Sequence, residues 1–255
     1  MRLVVKIGTS TIAYPTGGLN IRRMENICKV LSDLKNSGIE VILVTSGAIG
    51  MGVGKLGLPG RPDDMPTKQA CAAVGQCELM YIYDRMFSEY NHTAAQILIT
   101  GAILTYEDQM ENFMNTMDRL LELGALPIIN ENDTIETKEI SIGDNDTLAA
   151  VVALAVDADL CVVLSDVDGL YTETPSRNPD AKLIPIIEEI TPEIEALAGD
   201  KGSSLGTGGM ITKLRAAAMC MENGCDMIIA NSDKPELLYN IQEGKPFGTK
   251  FVAKK

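Results

Sequence analysis

The sequence has few of the residues on which several classes of protein depend. It holds one histidine, His92, in 255 residues, which leaves no basis for a multi-histidine metal site or a Ser-His-Asp triad. We predict that His92 lies in a loop or at the surface. The six cysteines are scattered without a Cys-x-x-Cys pair, so the sequence predicts reduced, mostly buried thiols in a cytoplasmic protein and no metal site.

Long apolar runs and blocks of basic residues are also missing. No segment reaches the roughly 20 apolar residues of a membrane helix, and the apolar run in MRLVVKIGTS is too short for a signal peptide. The formal net charge is −13, and no cluster of Lys and Arg stands out against it. The composition therefore argues against a membrane or nucleic acid as partner. An anionic substrate would need a site that concentrates a few cations, or a metal.

The chain alternates short apolar runs with helical patterns. Runs that are apolar on both faces and separated by helices are typical of a mostly parallel sheet with helices on both sides. We therefore predict an α/β fold, a three-layer α/β/α sandwich formed by residues 1–255 as a single domain. The predicted strands are 3–7, 40–47, 94–100, 126–133, 157–171 and 225–232, the predicted helices are 21–38, 68–88 and 112–123, and 133–145 is a predicted β-hairpin.

Polar and glycine residues follow most of the predicted strands. KIGTS, TSGAIG, NEND, LSDVDGLYT and ANSDK end the first, second, fourth, fifth and sixth strands. Each stretch alone is compatible with an ordinary turn. Because ligands of open α/β sheets bind beyond the carboxyl ends of the strands, the recurrence favours a binding site at that edge.

Two lysines are placed to bind phosphate. Lys6 lies in an apolar strand, where a charge is costly unless it is paired, and it precedes Gly8-Thr9-Ser10. Lys213 lies about one turn into a helix that follows the glycine-rich stretch 202–212, and a helix N-terminus favours phosphate. The alternatives are a lysine that reaches solvent at a sheet edge and a flexible loop before an ordinary amphipathic helix.

Two glycine patterns indicate less. Gly52-Val53-Gly54-Lys55-Leu56-Gly57 matches G-x-G-x-x-G, but it does not directly follow a strand, so we predict that it is not a dinucleotide-binding turn. A P-loop is absent, because Gly54-Lys55 and Gly244-Lys245 are followed by Leu and Pro.

Three polar residues, Asp144, Asn145 and Asp146, stand directly before an apolar helical run. Capping of the helix explains such residues; a position at the rim of an active site is the second interpretation. Phosphoryl transfer to a carboxylate suits a chain with so little histidine, because that nucleophile is already ionised at pH 7. Such a reaction needs positioning and neutralisation of charge by lysines, backbone amides and Mg²⁺.

Six motifs occur in one order along the chain: VVKIGTS, VTSGAIGMG, INENDT, IGDNDTLAA, LSDVDGLYT and GTGGMITKL. Together they resemble the signature set of the glutamate 5-kinases in the amino acid kinase family, over about residues 3–250. INEND followed by GDND is typical of this branch and separates it from acetylglutamate, carbamate, aspartate and uridylate kinases.

The resemblance implies roles for the matching residues. Lys6 and Lys213 would be catalytic and contact the phosphates, Asp146 would organise both lysines, and Asp144 would be structural. Glutamate would contact Ser46, Gly47, Ala48, Asp133 and Asn145, and the nucleotide would contact Lys6, Gly8, Thr9, Ser10, Ser165, Asp166, Thr207, Gly208, Gly209, Met210, Ile211, Thr212 and Lys213. The N-terminal half would carry mainly the glutamate site and the C-terminal half mainly the nucleotide site.

The implied activity is ATP-dependent phosphorylation of the γ-carboxylate of L-glutamate, the first step of proline biosynthesis. Mg²⁺ would be held mainly by the nucleotide phosphates and not by a protein cage. The resemblance further implies a cytoplasmic homo-oligomer, feedback inhibition by L-proline and hand-over of the product to glutamate-5-phosphate reductase. Many bacterial relatives carry a C-terminal module of the kind found in RNA-modifying enzymes, and we expect the form that lacks it.

Two alternatives remain open. The chain could be another amino acid kinase that acts on a related carboxylate, which a substrate panel would reveal. It could also be a non-catalytic amino acid sensor, although a sensor has no need for Lys6, Asp146 and Lys213 together.

Two positions depart from the family pattern, because Ser165 stands where Thr is commoner and Thr174 where Asp is frequent.

Overall fold

The computed structural model describes residues 1–14, 18–135, 142, 144–173, 175, 178–198 and 209–254. None of the helices in these ranges is both long and apolar enough to span a membrane. The strands are β1 Arg2–Ile7, β2 Glu40–Val44, β3 Ala94–Ile99, β4 Leu126–Glu131, β5 Leu160–Ser165, β6 Ile186–Ile187, β7 Asp226–Asn231 and β8 Thr249–Phe251. The helices are α1 Thr9–Ile12, α2 Ile21–Asn36, α3 Ala48–Lys55, α4 Met65–Ser88, α5 Glu107–Glu122, α6 Asn145–Ala155, α7 Pro192–Leu197, α8 Met210–Glu222 and α9 Asn240–Glu243, and 3-10 helices cover Gly101–Leu104 and Pro235–Tyr239.

The strands form one sheet in the order β3-β4-β2-β1-β5-β7-β8-β6. Every neighbouring pair is parallel except β7 and β8. Strand β1 is central: Lys6 pairs with Val44 of β2 on one side and with Val163 of β5 on the other. The predicted α/β fold with a mostly parallel sheet and a helix layer on each face is confirmed. The carboxyl ends of β4, β2, β1, β5 and β7 consequently share one edge.

The two faces of the sheet are covered by different helices. Helices α2 and α4 pack on the face that carries Leu3, Val5 and Ile7, which we call the first face. Helices α5, α6 and α8 pack on the face that carries Val4, which we call the second face. Because side chains alternate along a strand, Lys6 lies on the second face, beneath α6 and α8.

Several predicted elements need correction. Helix α3, which ends at Lys55, was not predicted. Helix α4 begins at Met65, three residues before the predicted helix 68–88, and the Asp64 side chain accepts a hydrogen bond from Thr67 N there. Strands β6 and β8, with two and three residues, were missed because such short strands show no periodicity. Most of the predicted hairpin 133–145 lies outside the described residues.

The histidine and the cysteines lie largely as expected. His92 is half-buried in the turn between α4 and β3, and its Nε2 lies 3.3 Å from Ser32 O. All six cysteines are free thiols. Five of them are buried, and Cys77 on α4 is the exception because it is exposed.

Two glycines allow α3 and α4 to pack closely against each other. A Cβ atom at Gly52 would lie 1.9 Å from Cys71 O, and one at Gly75 would lie 1.8 Å from Ala48 O. Both distances are far below any van der Waals contact. Gly52 is therefore needed for helix packing, which accounts for the first glycine of the G-x-G-x-x-G pattern.

Replacing Gly75 by Ala should destabilise the protein, because the new methyl group meets backbone that cannot rotate away. We expect a loss of at least about 1–3 kcal/mol in the free energy of unfolding, seen as a melting temperature several degrees lower. Circular dichroism melts would measure it. The matched control is Gly60→Ala, where a Cβ meets nothing within 4 Å; equal melting temperatures for the two variants would contradict the packing argument.

Candidate functional site

A buried carboxylate between two buried lysines forms the centre of the site. Asp146 Oδ1 lies 2.6 Å from Lys6 Nζ, and Asp146 Oδ2 lies 3.1 Å from Lys213 Nζ. The residues are 1%, 8% and 6% exposed, in the order Asp146, Lys6, Lys213. Since β1, α6 and α8 each supply one residue, the predicted trio from distant parts of the sequence is brought together.

Asp144 fixes the start of α6 and thereby the position of Asp146. Its Oδ1 accepts hydrogen bonds from the backbone N–H groups of Asp146 and Thr147, both at 2.9 Å. Its Oδ2 accepts from Thr147 Oγ1, also at 2.9 Å. Asp144 is the N-cap residue, as the sequence indicated, which leaves Asn145 and Asp146 on the first turn with side chains available for other contacts.

The two lysines keep Asp146 ionised. Burial alone would raise the pKa of this carboxyl, but the charges of Lys6 and Lys213 and the hydrogen bonds from Lys6 and Thr212 outweigh it, so its pKa lies below the ordinary value. One carboxylate between two ammonium groups leaves one positive charge in excess. This excess favours an anionic ligand in a protein whose overall charge is −13.

The first turn of α8 adds a hydroxyl to this centre. Thr212 Oγ1 lies 2.9 Å from both Asp146 Oδ2 and Gly209 O. Gly209 is the N-cap residue of α8, Met210 begins the helix, and Ile211 is exposed. The predicted nucleotide residues Thr207 and Gly208 lie outside the described residues.

The turns after β1 and β2 lie against each other. Thr9 Oγ1 donates to Ser46 Oγ at 3.5 Å, and Ser46 Oγ donates to Ile7 O at 3.2 Å. Gly47 follows with φ of +96°, a left-handed conformation that favours glycine, and α3 starts at Ala48. A predicted phosphate-binding residue and a predicted substrate residue are thus in direct contact. Of the remaining predicted residues of these turns, Gly8 precedes α1 and Ser10 lies within it.

A row of amide side chains links α6 to α4 across the edge of the sheet. Asn145 Nδ2 donates to Thr45 O and, at 2.9 Å, to Asn130 Oδ1. Asn130 Nδ2 then donates to Gln76 Oε1 at 2.9 Å. Asn130 and Gln76 were not predicted as site residues. One indication of Gln76 was available in the sequence: it is a polar residue on the buried, mostly apolar side of its helix.

Asp133, a predicted substrate residue, is half-buried two residues beyond β4.

The turns after β5 and β7 hold the predicted nucleotide residues and a small polar cluster. Ser165 Oγ donates to Asp166 Oδ1 at 3.1 Å. Nearby, Asp168 accepts hydrogen bonds from Asn231 Nδ2 and Tyr171 Oη, both at 2.9 Å. Both hydrogen bonds lower the pKa of the Asp168 carboxyl, and the bond from Asn231 has the larger effect. The turn is therefore held in one conformation by side chains from β7 and from the loop itself.

The sheet order arranges these groups in sequence along the edge. The turns after β4 and β2 lie to one side of Lys6, and those after β5 and β7 lie to the other. Within the described part of the chain, no three His, Cys, Asp or Glu side chains are grouped so as to hold a metal ion. The arrangement offers cationic and hydroxyl contacts to a phosphate at the carboxyl end of β1.

Comparison with known proteins identifies similar chains. Residues 1–231 match the model of the amino acid kinase family. A protein of Clostridium perfringens named glutamate 5-kinase is 52% identical over 258 residues, which cover 100% of this chain and 96% of that protein. A glutamate 5-kinase of Listeria monocytogenes serotype 4a is 51% identical, with 100% and 94% covered.

Solved structures share the fold at low sequence identity. A carbamate kinase from Giardia lamblia bound to AMP-PNP matches with a TM-score of 0.70 and 17% identity, covering 99% of this chain and 98% of that chain. An isopentenyl phosphate kinase matches with the same TM-score and identity, covering 99% and 100%. At this identity the likeness concerns the fold alone.

Replacing Asp146 by Asn should leave two buried lysines without their counter-charge. We expect the free energy of unfolding at pH 7 to fall by about 3–5 kcal/mol. Because the folded pKa of Asp146 is lowered, its stabilising contribution is present above about pH 4, the pKa of an unfolded aspartate. It is lost as the pH falls through the lower folded pKa.

Urea unfolding of both proteins between pH 7 and pH 3 would measure this contribution. The stability gap between wild type and Asp146→Asn should narrow at the acidic end. Asp144→Asn, which retains an N-cap acceptor, is the matched control and should lose far less stability at pH 7. A stability difference between the two proteins that stays constant down to pH 3 would contradict an ionised Asp146 stabilised by the two lysines.

Proposed function

The chain belongs to the amino acid kinase family and, within it, to the glutamate 5-kinases, and on that premise we propose that it transfers the γ-phosphoryl group of ATP to the γ-carboxylate of L-glutamate. The products are ADP and L-glutamate 5-phosphate, and the reaction opens proline biosynthesis. The observation that carries the proposal is the Lys6–Asp146–Lys213 centre, which lies between the two sets of strand ends.

The reaction requires no general base. A carboxylate oxygen of glutamate forms a bond to the γ-phosphorus of ATP, and the bond from that phosphorus to the β–γ bridging oxygen breaks. The electron pair of the broken bond stays with ADP, so atoms and charge balance without a proton transfer. What the protein must supply is alignment and positive charge around the transferring group.

Lys6 and Lys213 are proposed to supply that charge. Both are buried and held by one carboxylate, so they are already oriented before the ligands bind. Preorganised charges stabilise the transition state more effectively than charges that must first be oriented. Asp146 then acts as a positioning residue that keeps the two ammonium groups a fixed distance apart and prevents each from being buried alone.

Glutamate is proposed to occupy the side of β1 that is next to β2 and β4. The candidate contacts there are Ser46, Gly47 and Ala48 after β2, Asp133 after β4, and Asn145. ATP is proposed to occupy the opposite side, which the C-terminal half of the chain forms. Its candidate contacts are Gly8, Thr9 and Ser10 after β1, Ser165 and Asp166 after β5, and Thr207 to Lys213.

Mg²⁺ is proposed to arrive with the nucleotide. The carboxylate at the centre of the site, Asp146, is already engaged by two lysines and a hydroxyl. The donor set around it therefore fits a metal that is held by phosphate oxygens better than one held by a protein cage. When bound, the ion neutralises phosphate charge.

Four further properties are proposed from membership of the family. The product is an acyl phosphate, which is labile in water, and this supports hand-over to a glutamate-5-phosphate reductase. We also propose that L-proline inhibits at or overlapping the glutamate site, that the protein forms a homo-oligomer, and that it works in the cytoplasm.

Glutamate-dependent release of ADP would test the proposed activity. With L-glutamate, ATP and Mg²⁺ we expect turnover, and with ATP and Mg²⁺ alone we expect none above background. Acetylglutamate and aspartate serve as the competing acceptors. Preference for either acceptor would indicate a different amino acid kinase, and binding of glutamate without ADP release would indicate a sensor.

Replacing Lys213 by Met should impair turnover more than binding. Asp146 keeps Lys6 as its partner in this variant, so the fold is retained, but one charge at the transferring group is removed. We expect kcat to fall on the order of 10²-fold or more, with a much smaller change in the KM for glutamate. Initial-rate kinetics would measure it against Lys245→Met, which removes an exposed lysine paired with Glu243. An unchanged kcat would contradict the assigned role.

A further inference from the structure

The row of amides at the edge of the sheet has a fixed polarity. Its first acceptor is the backbone carbonyl of Thr45, which cannot donate, so the group of Asn145 that faces it must be the Nδ2 amino group. The same Nδ2 donates to Asn130 Oδ1, and Asn130 in turn donates to Gln76 Oε1. The row therefore has an acceptor at each end, and only one orientation of each amide satisfies it.

This polarity determines what Asn145 can offer a ligand. A side-chain amide has two N–H donors and one carbonyl oxygen. Both donors of Asn145 are used, by Thr45 O and by Asn130 Oδ1. The oxygen Oδ1 is what remains, and it can only accept. Of the charged groups of glutamate, the ammonium is the one that donates hydrogen bonds.

Helix α4 holds both ends of the row. Gln76 and Tyr83 are seven residues apart, two turns along one side of the helix, and both are buried. Tyr83 Oη lies 2.7 Å from Thr45 Oγ1, which fixes the residue whose carbonyl ends the row. Gln76 Nε2 is buried and has no hydrogen-bond partner in the described part of the chain, so Gln76 joins the row through its oxygen alone.

We propose that Gln76 is a positioning residue that determines specificity for the ammonium group of the substrate. Its oxygen holds Asn130 with Oδ1 toward Asn145, and this holds Asn145 with Oδ1 available to the ligand. Without the Gln76 oxygen, Asn130 can rotate and present Nδ2 to Asn145 Nδ2, where two donors repel. Asn145 then loses the orientation that accepts from an ammonium group. This inference rests on the proposed phosphorylation of glutamate.

The test compares glutamate with glutarate, which has both carboxylates but no ammonium group. The quantity is the ratio of kcat/KM for the two acceptors, in wild type and in Gln76→Met, a variant of similar size without an acceptor oxygen. We expect the ratio to fall by about tenfold or more, as for the loss of a hydrogen bond to a charged group. The KM for ATP should be unchanged.

Three further variants make the test specific. Gln76→Asn keeps an amide but is one methylene too short, and it should lower the ratio as Met does; it also provides the measurement if Gln76→Met does not fold. Gln76→Glu keeps an acceptor oxygen and should retain the ratio. Gln109→Met makes the same change at an exposed position on α5 and should leave the ratio of kcat/KM for the two acceptors unchanged.

The outcomes separate this inference from the proposed function. Failure of the wild type to phosphorylate glutamate would overturn the function itself. A wild type that is active while Gln76→Met and Gln76→Asn keep the wild-type ratio would overturn the role of Gln76 alone. Equal losses with glutamate and glutarate would assign Gln76 a merely structural role and would also overturn the inference.

Discussion

The structure depends on a carboxylate that is shared by two buried lysines. Neither Lys6 nor Lys213 could be withdrawn from water alone, because an unpaired buried charge costs several kcal/mol. Asp146 makes both burials tolerable, and it thereby ties the central strand to two helices on the second face of the sheet. The same arrangement keeps one positive charge in excess at the edge of a strongly acidic protein. One carboxylate thus permits the burial of two lysines and leaves positive charge there for an anionic ligand.

The topology of the sheet places strand ends from both halves of the chain next to the Lys6–Asp146–Lys213 centre. Strands β1 to β4 form one half of the sheet and β5 to β8 form the other, with β1 at the boundary. Each half therefore brings its own turns to the same edge. Asn145 and Asp146, which are consecutive at the start of α6, divide the tasks: the first joins the amides next to β2 and β4, and the second joins the two lysines.

Much of this could be predicted from the sequence because the relevant signals are local. A lysine in an apolar strand, a lysine one turn into a helix and an N-cap aspartate each have a physical meaning within a few residues, and Lys6, Lys213 and Asp144 lie where expected. The contacts that were missed are not local. Gln76 lies on the buried side of a helix among mainly apolar residues. Its hydrogen bond with Asn130, 54 residues away in the sequence, becomes evident only in the folded structure. The sequence likewise does not predict the close packing of α3 and α4, because it depends on the contacts of Gly52 and Gly75 with backbone oxygens of the other helix.

Helix α4 turns one residue to the core and the next to water. Consecutive residues of a helix point about 100° apart, so Gln76 is buried while Cys77 is exposed. The other five cysteines are buried. A thiol-reactive fluorophore or spin label would thus have one accessible attachment point in the unmodified chain, immediately beside the amide that orients Asn145. Cys77 is therefore a native attachment site for optical or magnetic probes next to the row of amides.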